Sequence, residues 1–139
     1  VSGARWLTDH WVKKGEGRYW HDGSEKRRLQ AEALEFVQEL LDAPIPRICL
    51  ENPVSVISTR IRKPDQTIQP WQFGDPFQKR TCLWLKGLPK LVPDAIVVAI
   101  RTQACWLEPP SEDRWKRRSV TYPGIARAMA QQWGSLLLL

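Results

Sequence analysis

Residues 44–53 read Pro44-Ile45-Pro46-Arg47-Ile48-Cys49-Leu50-Glu51-Asn52-Pro53, a proline-bounded apolar run that closes on a carboxylate and an amide. The prolines exclude a helix here, and the run from Arg47 to Glu51 has the length and composition of a buried strand. Immediately upstream, from a cap at Ser24, Leu29, Ala33, Phe36, Val37, Leu40 and Leu41 recur at helical spacing, with Glu25, Lys26, Glu32, Glu35 and Glu39 on the other face. A helix, a tight connector and a buried strand make half of a crossover unit, the unit from which parallel sheets covered by helices are built. The expected class is therefore α/β.

Downstream, the polar stretch from Asn52 to Gln78 carries Pro53, Pro64, Pro70 and Pro76 and is long enough for a functional loop. Thr81 to Lys86 reads as a second strand ended by Gly87-Leu88-Pro89. Ala95 to Ile100 is apolar enough for a third, within an Asp94–Trp106 segment of no clear period. Pro109-Pro110 starts a charged linker, and Thr121-Tyr122-Pro123 opens a last helix with Ile125, Ala128, Met129 and Trp133 on one face. The expected organisation is one domain over 1–139: a loop region 1–24, helix and strand 25–51, a DNA or active-site loop 52–80, strand and linker 81–118, and a helix with a tail 119–139. The segment 1–24 has no sustained period, and Leu136 to Leu139 has no evident assignment.

With 139 residues the chain has room for one small domain and little for a second, so a two-domain enzyme is not expected. Twenty-one Lys and Arg against 15 Asp and Glu give a net charge of +6, which favours a polyanionic partner. No apolar run approaches the roughly 18 to 20 residues of a membrane span, and nothing reads as a signal peptide. Cys49, Cys82 and Cys105 are too scattered for a disulfide framework, and a cytoplasmic location is expected. His10 and His21 lack paired ligand spacing, so no metal is expected. Gly15-Glu16-Gly17 has neither the preceding strand nor the third glycine of a phosphate-cradling turn. The one methionine is Met129, so Val1 is not a translation start and the chain is expected to be a fragment.

Two constellations could carry chemistry. At a strand end, Glu51 would have its acid form favoured by burial, suiting it to donate a proton to a heterocycle nitrogen. Structurally, Glu51 could equally cap a neighbouring turn and Asn52 form an Asx turn. The second is Phe73-Gly74-Asp75-Pro76-Phe77-Gln78-Lys79-Arg80, a turn delivering Gln78, Lys79 and Arg80 to a strand start. Arg80 could pair with a phosphate or base edge, or these side chains could simply be solvated. Arg60, Arg62 and Lys63 share a segment with Trp71 and Phe73, a mixture of cations and aromatics suited to a nucleic-acid groove. Trp84 and Trp133 fall on apolar faces and are expected in the core.

Taken in order, these features resemble the carbon-5 cytosine DNA methyltransferases, in particular the compact forms of phages and prophages. Glu51-Asn52-Pro53 stands where the family has Glu-Asn-Val, and Phe73-Gly74 with Gln78-Lys79-Arg80-Thr81-Cys82 stands where it has Tyr-Gly and Gln-x-Arg-x-Arg, Cys82 replacing the second arginine. Thr121 to Ala130 is similar to its closing Gly-Asn-Ser-Val segment, and Ser2-Gly3-Ala4-Arg5-Trp6 to the segment after its Pro-Cys loop. None of the three cysteines follows a proline, and the family's Phe-x-Gly-x-Gly cofactor loop is absent. The resemblance implies the back part of a Rossmann-like methyltransferase domain, with a parallel sheet, that uses S-adenosylmethionine and acts on cytosine in DNA. It implies catalytic roles for Glu51 at ring nitrogen 3, Asn52 in orienting the loop and Arg80 at the exocyclic oxygen. It places Arg60, Arg62, Lys63, Trp71, Gln78 and Lys79 against DNA around an extruded base. The alternative is a non-catalytic DNA-binding accessory protein that keeps the back half of the fold.

Overall fold

The computed structural model describes residues 23–98, 102, 111 and 119–138. The readings that fall on 1–22, His10, His21 and Gly15-Glu16-Gly17 among them, lie outside those residues, as do Cys105 and most of the 99–118 linker.

Helix α1 (Gly23–Asp42) ends where Pro44 and Pro46 remove backbone donors, and β1 (Ile48–Pro53) follows. The polar stretch after it is not one loop. It holds a single turn of helix, α2 (Ile57–Arg60), then β2 (Gln66–Ile68), then a 3-10 turn at Pro70–Gln72. Strand β3 (Thr81–Lys86) has the expected bounds, and α3 (Pro123–Gly134) runs into a 3-10 turn at Ser135–Leu138.

The fold is mixed α/β with a three-stranded sheet in the order β1-β3-β2. Both outer strands pair antiparallel with β3, in the registers Glu51↔Leu83, Pro53↔Thr81 and Ile68↔Thr81. This corrects the expected parallel, Rossmann-like half. A parallel neighbour needs a crossover that returns the chain to the starting end of the sheet. Here the excursion through α2 and β2 delivers the chain to Thr81 beside Pro53, at the finishing end of β1, so β3 can only run back along it. β1 and β2 consequently point the same way, with β3 threaded between them in the opposite sense.

Strand alternation sends successive side chains of the sheet to two faces, each with its own apolar cluster. Trp84, Cys82 and Leu50 meet Val37 and Leu41 of α1, together with Ile57. Leu83, Ile68 and Phe73 meet Ile125, Ala128 and Trp133 of α3, together with Leu91. Both expected core tryptophans are buried, and each satisfies its indole N–H: Trp84 donates to the Arg62 carbonyl (2.8 Å) and Trp133 to that of Pro89 (3.0 Å).

Helix α1 departs from its expected face. Val37, Leu41 and half-buried Leu34 reach the sheet, while Leu29, Phe36 and Leu40 point outward. The apolar arc of the helix is wider than one sheet face, and the sheet takes only one side of it. The Ala95–Ile100 strand is also corrected over its described part. Ala95 makes a single parallel bridge to Phe73, and Val97 N–H donates to the Trp71 carbonyl (2.8 Å), while Ile96 and Val98 stand exposed. Cys49 and Cys82 are free thiols.

Candidate functional site

The antiparallel register gathers the chemistry-bearing segments at one end of the sheet. β1 arrives there with Glu51 and Asn52, β2 with Gln69 and the Pro70–Gln72 turn, and β3 departs from it immediately after Gln78, Lys79 and Arg80. Segments nearly thirty residues apart in sequence thus become neighbours, since Asn52 pairs with Cys82 and Pro53 with Thr81.

Glu51 and Asn52 lie inside β1 and not beyond its end, so their side chains leave on opposite faces. Glu51 shares the sheet face of its cross-strand partner Leu83, and Leu83 packs under α3. Burial in this half-buried position pushes its carboxyl above the usual range, and the positive charge of Lys79 pulls it partly back. Cys49, two residues earlier on the same face, is pushed up to about 11 by burial first and by the Glu51 charge second. Asn52 faces the other way. Its Nδ2 donates to the Pro53 carbonyl (3.1 Å) and to Ser55 Oγ (2.8 Å), which locks the turn out of β1. Asn52 therefore holds the loop that carries α2, but by donating from its amide nitrogen and not by the carbonyl-accepting bond of an Asx turn.

The Phe73–Arg80 segment is built inward from a fully buried Phe73. Gly74 takes a positive φ of 99°, and Asp75 Oδ2 accepts the N–H of Gly124 at the start of α3 (2.8 Å). A side chain at Gly124 would place its Cβ 2.0 Å from the Phe73 carbonyl oxygen, so only glycine lets α3 approach this closely. Gln69 accepts the Lys79 N–H (3.0 Å), and the Lys79 ammonium reaches the Val120 carbonyl (3.5 Å) and lies 5.7 Å from the ring centroid of Tyr122. Tyr122 in turn stacks at a tilt on Phe77, with centroids 5.3 Å apart. The cation that acts on Glu51 is thus Lys79, and Arg80 beside it is exposed.

Of the other expected DNA-facing residues, Arg60 and Lys63 are exposed, Trp71 is half-buried and Gln78 is exposed with its backbone N–H bonded to the Thr102 carbonyl (2.9 Å). Arg62 is engaged in the fold. It pairs with Asp65 (2.7 Å) and donates to the Leu85 carbonyl (3.1 Å), fastening the α2–β2 connection to β3. Sequence reasoning missed Gln69 and Asp75 as the groups that fix Lys79 and the entry to α3. Gln69 before Pro70 carried a usable signal, because its side chain and that of Gln72 form a reciprocal capping box around the 3-10 turn.

Among the described residues, no cluster of three or more His, Cys, Asp or Glu could hold a metal ion, and no helix is long and apolar enough to cross a membrane. Gly74 and Gly87, the two glycines of positive φ there, pack on Ala95 and on the Pro46 carbonyl, so neither opens the backbone cradle that a nucleoside cofactor would fill. Comparison with protein-family models, with curated proteins and with solved structures finds no match for this chain.

Proposed function

We propose that this chain carries the base-recognising part of a carbon-5 cytosine DNA methyltransferase, with Glu51 as the group that holds a proton at ring nitrogen 3 of a cytosine taken out of the duplex. The observation that carries the proposal is the sheet register, which brings Glu51-Asn52, the Gln78-Lys79-Arg80 strand entry and the Tyr122-Pro123-Gly124 helix start to one end of the sheet. These are the three segments on which the family resemblance rests.

The roles follow from the environments. A carboxyl group that keeps its proton above the usual range can donate it to the acceptor nitrogen of cytosine, which thymine lacks at that position. Lys79 limits how far that shift goes. Asn52, tied to Ser55, keeps the β1 exit in place, and exposed Arg80 is available to a phosphate or to the base carbonyl. S-adenosylmethionine, when bound to the whole enzyme, supplies the methyl group. The family's Phe-x-Gly-x-Gly loop for it does not occur in this sequence, so no step is assigned through it. The thiolate addition is likewise not assigned to Cys49, Cys82 or Cys105, none of which follows a proline.

The test is fluorescence-anisotropy binding of the chain to a duplex with one unpaired cytosine, against the same duplex with thymine there. The expected result is a cytosine preference of about tenfold, the discrimination worth one good hydrogen-bonded base contact. It should be larger at acidic than at alkaline pH and absent in Glu51→Ala. A preference that survives Glu51→Ala refutes the assignment. Equal affinity for both duplexes favours the accessory DNA-binding protein, and absence of binding at low salt removes DNA as the partner.

A further inference from the structure

Outside the candidate site, the most distinctive surface is the outer side of α1. Leu29, Phe36 and Leu40 are 42%, 59% and 38% exposed, and with Ala33 they follow the i, i+4, i+7, i+11 spacing of one straight stripe. It runs beside the buried stripe of Leu34, Val37 and Leu41, so α1 packs on the sheet with one apolar stripe and offers a second to the outside. At 1.5 Å per residue the outer stripe is about 16 Å long, three turns of apolar surface.

The charges of α1 name its occupant. Apart from Glu25, the first two turns hold Lys26, Arg27 and Arg28, and the last two hold Glu35, Glu39 and Asp42. This order opposes the helix's own dipole, which favours anions at the N-terminus and cations at the C-terminus. It is self-complementary when the helix meets a second copy running the other way. We infer that the chain self-associates through the outer stripe of α1, two copies packing antiparallel about a two-fold axis so that Leu29 of each lies against Leu40 of the other.

The geometry supports a specific register. The stripe has its midpoint between Leu34 and Glu35, where the two-fold axis passes. Arg28 and Glu39 are eleven residues apart, about three turns, and so lie on the same flank of the stripe. A two-fold axis across the stripe makes that flank face its own copy reversed, as in any isologous contact. Arg28 of one copy then comes within about 3 Å of the level of Glu39 of the other, and the pair occurs twice per dimer. Arg28 already bridges Glu32 one turn along, which holds its guanidinium on that flank. A three-turn helix pair buries less than the roughly 1,200 Å² of a standard interface, so the dimer is weak and concentration-dependent.

The experiment is sedimentation equilibrium of the full chain at low salt, from about 1 to about 200 µM, the range in which a contact of this size equilibrates. The expected result is a reversible monomer–dimer equilibrium. Phe36→Ser, or Leu29→Gln as a second stripe variant, should weaken dimerisation by about tenfold or more, with the helical circular dichroism unchanged because both side chains are exposed. Arg28→Glu should weaken it about fivefold, and the double variant Arg28→Glu/Glu39→Arg should restore it. A wild-type chain that stays monomeric throughout, stripe variants that dimerise like wild type, or a double variant no better than the single, would each overturn the inference.

Discussion

Glu51 carries an ionisable group at a half-buried position of β1, where its charged form is costly to the fold. It sits on the apolar face of β1 opposite Leu83, and burial keeps its carboxyl protonated to higher pH than the ordinary value of 4.5. The native state therefore binds this proton more tightly than the unfolded chain does. Its contribution to stability is fully present below pH 4.5 and is lost as pH rises through the raised native value. Glu51→Gln, which cannot ionise, should match the wild type in urea denaturation near pH 4 and exceed it by a margin that grows as pH rises to the raised native value and then levels off. If the wild type instead gained on the variant as pH rose, Lys79 would be stabilising the ionised form, and the proton-holding role would fail. The elevated carboxyl was legible in the sequence, because a glutamate that ends an apolar run is partly desolvated wherever the strand packs. Its cationic neighbour was not, since Lys79 and Glu51 are 28 residues apart and meet only through the register.

At the scale of elements, the start of α3 is held by a close backbone approach at Gly124 and by side-chain hydrogen bonds around it. The Phe73 carbonyl and Asp75 carboxylate receive the first turn of the helix at Gly124, and Arg127 Nη2 returns a hydrogen bond to the Phe73 carbonyl (3.1 Å) while pairing with Asp94. Gly124→Ala should cost about 3 kcal/mol in chemical denaturation, near the top of the overpacking range, because its Cβ meets main chain that cannot swing aside. A loss below about 0.5 kcal/mol, the scale of a neutral surface change, would mean that α3 sits further from the turn. Helices α1 and α3 and strand β3 were readable from period and punctuation, whereas α2 and β2 inside the polar stretch were not. The same period marks the apolar face of α1 as one surface, although the helix divides it between the sheet and the outside, and nothing in the spacing shows where that division falls.

At the scale of the whole molecule, the net charge of +6 is spread unevenly between cations that build the fold and cations that face outward. Arg62 belongs to the first kind through Asp65 and the Leu85 carbonyl, and Arg60, Lys63 and Arg80 are exposed. If DNA is the partner, replacing Arg60, Lys63 and Arg80 together by alanine should reduce the slope of log affinity against log salt by about 3, close to one for each phosphate that is no longer neutralised. Arg62→Ala should leave the slope unchanged while lowering the denaturation midpoint. Equal salt slopes for the triple variant and the wild type would remove this surface from any role in holding DNA.

By itself the sequence determined the elements and the material of the site: the α1 helix up to its prolines, β3 between Thr81 and Lys86, α3 from Pro123, two core tryptophans, and a glutamate poised to keep its proton. Those properties are local, set by hydrophobic period, proline punctuation and desolvation within a few residues. Only the tertiary structure decided that β3 runs back along β1, that Glu51 and Asn52 face opposite sides, and that Lys79 lies within reach of Glu51. Strand direction depends on which end of the sheet the intervening chain returns to. That end is chosen by the packing of Ile57 under α1 and of Ile68 and Phe73 under α3, contacts between residues far apart in the chain.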